Sequence, residues 1–411
     1  MVNYLIVKLS SMPLNYGVGT YIEHVIHGLK SKPNIAVHII HLNDHCLEFE
    51  YQKRNNIHLY RFPAPSLKPL TQDERSNRVY VNRVADILSD YFVNRNKMVL
   101  HINYAGLYFV AEIFKEKLNA KILSTIHSID WKFLYTTNRQ IFFKYFNETK
   151  THAIKSSIKE SQLIDLSDKI IFVTNYGREE FLRIYNSLAL SKTCVIYNSI
   201  KIAADHFPTK QEKLIAKQKI GFNTASFLIL FVGRLTDEKG TMSLIKAFQI
   251  IAKTNKDAKL VIIGDGNFNE CHQLSYGIWD QIIFTGHLTS PELELFYRAA
   301  DLGIMPSLFE QCSYVSLEMM INNVPLIVSD VDGLGEIFDH EHTAIKITVD
   351  YQENYAMTIN INELARQMNS LIHNDQKRWE LAENCSTLIR NKFDEDLMID
   401  DVYHTIIGLF D

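Results

Sequence analysis

Phe227-Leu228-Ile229-Leu230-Phe231-Val232-Gly233-Arg234-Leu235-Thr236-Asp237-Glu238-Lys239-Gly240 is the stretch on which the reading of this chain turns. Six consecutive apolar residues suit a β-strand covered on both faces, as in a parallel sheet. Glycine follows at once, then a charged loop, and the spacing beyond predicts a helix over Lys239–Ala252. Doubly wound sheets bind ligands at the carboxyl ends of their strands. A loop in that place carrying both Arg234 and Lys239 is therefore a candidate anion site. Arginine offers a fork of donors and lysine a compact charge, and both suit a diphosphate. A merely solvated charged loop would have the same composition; its place after a buried strand is what favours the functional reading.

The same pattern extends in both directions. Tyr4–Leu9, Val37–Leu42, Met98–Ile102, Ala120–Ile126 and Lys169–Val173 read as buried strands, with helical spacing over Thr20–Leu29, Arg75–Tyr91 and Ala105–Leu118. A second series has strands at Phe227–Val232, Lys259–Ile263, Gln281–Phe284, Leu302–Met305 and Val324–Val328, and helices at Lys239–Ala252, Pro291–Ala300 and Tyr314–Ile321. Alternating βα units imply doubly wound parallel sheets. The expected class is thus α/β, with two Rossmann-like domains over residues 1–200 and 201–392. The break falls in the polar stretch Asn198–Pro208, and the helix of residues 393–411 is expected to cross back onto the first domain.

Composition narrows the function. The 411 residues include 43 Lys+Arg and 47 Asp+Glu, a formal net charge of −4 that argues against a dedicated nucleic-acid binder. The five cysteines are odd in number, and none are at metal-motif spacing, so neither a disulfide framework nor a zinc site is expected and a reducing cytoplasm is the default. Met1–Leu9 reads as a strand rather than a signal peptide, and no apolar run is long enough to span a bilayer. One segment breaks the βα rhythm. Residues 131–159 hold Trp131, Phe133, Tyr135, Phe142 and Phe146 and end in Lys150, Lys155 and Lys159. Amphipathic helices packed on the domain account for it; an acceptor-binding or peripheral membrane surface is the sharper reading.

Three further loops follow predicted strands. Ser10–Thr20 contains Gly17-Val18-Gly19, where glycines would let a phosphate or sugar approach a helix N-terminus; Ile22 stands where a dinucleotide fingerprint needs a third glycine. Ser124–Asp130 presents His127, suited to a substrate hydroxyl or to a partner within the fold. Pro306–Met320 presents Glu310, then Ser313 as a candidate N-cap, with the backbone N–H groups of Cys312, Ser313, Tyr314 and Val315 suited to phosphate. Glu318, two turns into that helix, would be costly to bury without a partner, and a ribose diol could be one.

Gly233-Arg234-x4-Lys239-Gly240 together with Glu310-x7-Glu318 resembles the family 4 retaining glycosyltransferases of the GT-B fold. The similarity extends over most of the chain. Gly17-Val18-Gly19 looks like their first glycine loop, and His127 sits where they have an active-site histidine. Asp168–Ile171 and Ile196–Ile200 look like their domain-closing strands, and Gly264-Asp265-Gly266 like their turn after the second strand of the C-terminal domain. The resemblance implies two Rossmann-like domains facing across a cleft. A nucleotide sugar, most commonly a UDP-hexose, would lie on the C-terminal domain, and the acceptor on the N-terminal one. Arg234 and Lys239 would hold the diphosphate, Glu318 the ribose, Glu310 the sugar hydroxyls and His127 the donor sugar, while Gly17 and Gly19 let the first loop close. Ser313 and Ser199 stand where the family usually has glycine.

On that resemblance the chain is a metal-independent, cytoplasmic enzyme with no cofactor beyond its co-substrate. It would transfer a sugar with retention to a glycan, lipid-linked, peptide or small-molecule hydroxyl, with contact at the inner membrane face through residues 131–159 left open. A non-hydrolysing nucleotide-sugar epimerase of the same fold and a non-catalytic nucleotide-sugar-binding subunit are the alternatives.

Overall fold

The computed structural model describes residues 1–9, 17–64, 74–92, 97–129, 152–185, 188–202, 207–351 and 357–411. The Ser10–Tyr16 part of the first glycine loop and residues 130–151 of the aromatic–lysine segment lie outside them, as does the Lys155 side chain. The chain divides into two compact units, with breaks after Asn198 and Asp394 rather than after residues 200 and 392.

The first unit is built on eight strands: β1 (Val2–Leu9), β2 (Ile35–Asp44), β3 (Glu50–Arg54), β4 (Ile57–Pro63), β5 (Met98–Ile102), β6 (Lys121–Ile126), β7 (Lys169–Phe172) and β8 (Thr193–Val195). They lie in the order β3-β4-β2-β1-β5-β6-β7-β8. Every neighbouring pair is parallel except the β3–β4 hairpin. That hairpin eluded the sequence reading because Glu-Tyr-Gln-Lys-Arg is an exposed edge with no apolar run. Of Ile196–Ile200, expected as strand, Ile196 still donates its N–H to Phe172 O on β7 at 2.9 Å, although β8 itself ends at Val195. Leu5, Val7, Leu100 and Ile122 face a core completed by Val84, Leu88, Phe109 and Phe114 from helices Glu74–Tyr91 and Tyr108–Leu118.

Helix Glu395–Ile407 belongs to this unit and buries Met398, Ile399, Val402 and Ile406. It packs on helix Gly17–Leu29. At Gly28 the approach is so close that a Cβ would meet the Ile399 side chain at 2.4 Å. A contact of His24 Nδ1 with Glu395 Oε1, at 3.1 Å, and an ion pair of Lys32 with Asp400 flank that packing.

The second unit, Ser199–Asp394, carries β9 (Phe227–Val232), β10 (Ala258–Ile263), β11 (Ile282–Gly286), β12 (Leu302–Met305), β13 (Leu326–Ser329) and β14 (Ile345–Ile347). Their order is β11-β10-β9-β12-β13-β14, parallel throughout. A small antiparallel pair, β15 (Val349–Tyr351) and β16 (Met357–Ile359), follows. From β9 the chain builds outward through β10 and β11, then returns to the other side of β9 with β12. The strand order therefore reverses between β9 and β12, the place where an open α/β sheet leaves a crevice at its carboxyl edge. In the first unit the reversal falls between β1 and β5. No helix of the described residues is long and apolar enough to cross a membrane.

Candidate functional site

The loops after β9 and β12 meet at the reversal point of the second sheet. Gly233 N–H donates to Ile263 O at 2.9 Å and Leu235 N–H to Asp265 O at 2.9 Å, fastening the β9 loop to the Gly264–Gly266 turn. Leu308 N–H donates to Glu238 O at 2.8 Å, fastening it to the β12 loop. A short 3₁₀ turn, Asp237–Lys239, ends at Gly240 with φ +70°. A Cβ at Gly240 would lie 2.0 Å from Pro306 O, so only glycine lets the two loops come this close. Helix Thr241–Ala252 then starts two residues later than the spacing suggested.

This closure brings Lys239 onto Glu310, with Nζ donating to Oε2 at 2.5 Å and both side chains partly buried. Gly333 N–H, from the first turn of the short helix Asp332–Ile337 that follows β13, donates to Glu310 O at 2.9 Å and anchors the glutamate backbone. The sequence reading passed over that turn, although its place beyond the carboxyl end of a strand was a usable signal. Arg234 is half exposed and pairs with Glu238 at 2.9 Å, a partner that was also overlooked. Ser313 occupies the N-cap position of helix Tyr314–Ile321, but its side chain makes no capping bond; its carbonyl instead accepts from Ser316 Oγ at 2.7 Å. Cys312, Ser313 and Tyr314 are buried, and Val315 is partly so.

Glu318, which was read as needing a partner, has one within the protein. Tyr297 donates its hydroxyl to Glu318 Oε2 at 2.6 Å, and burial pushes the carboxyl above its usual range despite that bond. The pair lines a pocket of about 230 Å³ with Lys201, Phe207, Leu293 and Ile321. Arg234, Lys239 and Glu310 are not among its lining residues.

In the first unit His127 follows β6 and Asn103 follows β5, at the carboxyl edge near the strand reversal. His127 Nε2 lies 2.9 Å from Asn103 Oδ1, and its ring meets Tyr21 edge-on at 4.7 Å between centroids. Gly17 is exposed at the first turn of helix Gly17–Leu29, and Gly19 is buried within it. Asn103 and Tyr21 carry no motif, and distance in sequence concealed them.

Burial pushes His127 down to about 3, and His38 and His101 likewise. Each titrates near 6.5 when unfolded. Between those values the unfolded chain binds more protons, so stability falls as pH drops through that window and is unaffected by these groups above it. Urea unfolding at about pH 5 should show a lower midpoint than at about pH 7; equal midpoints would mean that these imidazoles are not buried neutral.

Two family models match the chain: Glycosyltransferase Family 4 over residues 16–203, and Glycosyl transferases group 1 over residues 212–387. The chain belongs to the family 4, group 1 glycosyltransferases. This family 4 chain is 36% identical to an uncharacterised glycosyltransferase of Methanocaldococcus jannaschii over 185 residues, 44% of the chain and 46% of the relative. It is 25% identical to the alpha-D-kanosaminyltransferase of Streptomyces kanamyceticus over 230 residues, 54% of the chain and 56% of the relative. These matches span about half the length of those curated relatives. Among solved structures, sucrose-phosphate synthase of Thermosynechococcus elongatus gives a TM-score of 0.76 at 16% identity, covering 100% of this chain and 99% of that one. Anabaena HepE in complex with UDP-glucose gives 0.72 at 16%, covering 99% and 100%. At such identities the likeness establishes the fold of this family 4 chain, which is GT-B.

Proposed function

We propose that this chain transfers a hexosyl group from a nucleoside-diphosphate sugar, UDP-linked by preference, to an acceptor hydroxyl, with retention at the anomeric carbon and without a metal ion. The observation that carries the reading is the Lys239–Glu310 pair at the strand-reversal point of the second sheet, where a cation and a carboxylate from two loops converge at 2.5 Å. A diphosphate there would draw on Lys239, on Arg234 and on the backbone N–H groups at the start of helix Tyr314–Ile321. Glu310 would turn to the sugar hydroxyls.

In the reaction the bond from the anomeric carbon to the phosphate oxygen breaks, and its electron pair leaves with the phosphate. The acceptor oxygen bonds to the same face of that carbon, and its proton passes to the departing phosphate oxygen. Negative charge thus grows where the cations sit, and preorganised donors are worth most there. His127, neutral through burial, would serve a sugar hydroxyl rather than carry charge. That HepE was crystallised with UDP-glucose supports the choice of base.

The test has two stages. UDP, GDP and ADP are compared for the rise each gives in the thermal unfolding midpoint, since a ligand held at a hundred times its Kd adds about 2.7 kcal/mol to the folded state. The sugar conjugates of the best one are then screened for acceptor-dependent nucleotide release in EDTA, with product configuration read by NMR. UDP should give the largest shift, release should survive EDTA, and the anomeric configuration should be kept. No shift with any nucleotide, or an inverted product, would overturn the reading.

A further inference from the structure

His127 does not stand alone on its edge of the first sheet. Asn103 is 6% exposed and sets Oδ1 at 2.9 Å from His127 Nε2. Behind the ring lies a buried polar chain that ties three strands to the first helix. Tyr4 Oη on β1 lies 2.6 Å from His101 Nδ1 on β5. His101 Nε2 lies 2.6 Å from Thr125 Oγ1 on β6. Thr125 Oγ1 in turn lies 3.2 Å from Tyr21 Oη. Tyr21 presents its ring edge-on to both imidazoles, at 6.2 Å and 87° to His101 and at 4.7 Å and 70° to His127. The tyrosine is thereby held by hydrogen bonding while its ring holds the His127 plane. Buried networks of this kind rigidify what they touch.

A neutral imidazole carries one N–H, and the partner of one nitrogen decides the state of the other. A ring nitrogen facing a carbonyl oxygen must carry the proton. Nδ1 then keeps its lone pair, and it makes no hydrogen bond among the described residues. Resting on the reading above, we propose that Asn103 is a positioning residue that locks His127 as its Nε2–H tautomer, so that Nδ1 accepts a hydrogen bond from a hydroxyl of the bound sugar. Tyr21 fixes the plane in which that lone pair is offered. The reversed Asn103 amide would turn Nδ2 to the ring, force the opposite tautomer and make Nδ1 a donor. In the observed orientation the cost falls on Nδ2, which is buried without a partner.

The whole chain labelled with 15N-histidine reports the tautomer directly through long-range 1H–15N couplings, the His127 signals being assigned by their loss in His127→Gln. At neutral pH, His127 should be protonated at Nε2 alone. Asn103→Leu, of similar volume but with no acceptor, should populate both tautomers and lower kcat about tenfold, the worth of one well-placed hydrogen bond, with the donor KM nearly unchanged. Asn103→Asp, which keeps the acceptor oxygen, should keep the Nε2–H signature. If Asn103→Leu folds poorly, Asn103→Ala is read in the same way. A wild-type Nδ1–H, or an unchanged tautomer ratio in both acceptor-less variants, would overturn the positioning role whatever the activity. Wild-type turnover in His127→Gln would instead overturn the catalytic use of His127 and leave the tautomer lock standing, so the two failures are told apart.

Discussion

Lys239→Ala should lower kcat by about a hundredfold or more, the loss expected when one preorganised donor to a developing anion is removed. Lys239 comes from a one-turn segment closed by Gly240, and the contact of Gly240 with Pro306 O sets how far the loop can retreat. Its ammonium is therefore held at the reversal point by backbone geometry rather than by a flexible stem alone. The substitution also strips Glu310 of its partner. A partly buried carboxylate left unpaired costs stability, so a fall in turnover could arise from a loosened loop. The double variant Lys239→Ala/Glu310→Gln separates the two. It should recover thermal stability without recovering turnover, because no cation faces the leaving phosphate. Lys239→Arg should not restore the rate fully, since a planar fork cannot replace a compact charge at a site closed this tightly. Wild-type kcat in Lys239→Ala would remove the diphosphate from this loop.

The parts of this site differ in how far they could be read from the sequence, and the reason is physical. Phe227–Val232 is legible because a strand covered on both faces must be apolar without interruption. Glu50–Arg54 is not legible, because an edge strand owes its place to pairing with β4 and its side chains face water. Lys239 and Glu310 could each be picked out as loop residues after buried strands. Their contact spans 71 positions and follows from the order β10-β9-β12, which no local pattern encodes. Arg234 shows the limit of charge counting. It stands in the motif beside Lys239, yet the structure gives it to Glu238 at the half-exposed side of the loop. Glu318 shows another limit. A carboxylate read as needing a partner has Tyr297 from the neighbouring helix, 21 residues away, which no local pattern names.

Glu310→Gln should act in opposite directions on binding and on turnover. In the structure Glu310 neutralises Lys239, so a diphosphate arriving there must first take the ammonium from the carboxylate. Glutamine keeps an oxygen that can accept from Nζ but carries no charge, and it surrenders the lysine more readily. Hydrogen bonds to charged groups are worth about 1.5–3 kcal/mol. Losing even half of that as a competing interaction would tighten binding of a nucleoside diphosphate by roughly threefold to tenfold. Turnover should move the other way, by about a hundredfold, because the released carboxylate is the group left to hold the sugar hydroxyls as the leaving phosphate departs. Calorimetry with UDP and steady-state kinetics on the same preparation check both signs. General damage to the loop would weaken both, and an exposed, inconsequential ion pair would change neither. Tighter UDP with slower transfer is the outcome expected if Glu310 guards Lys239 before the donor arrives and serves the sugar afterwards.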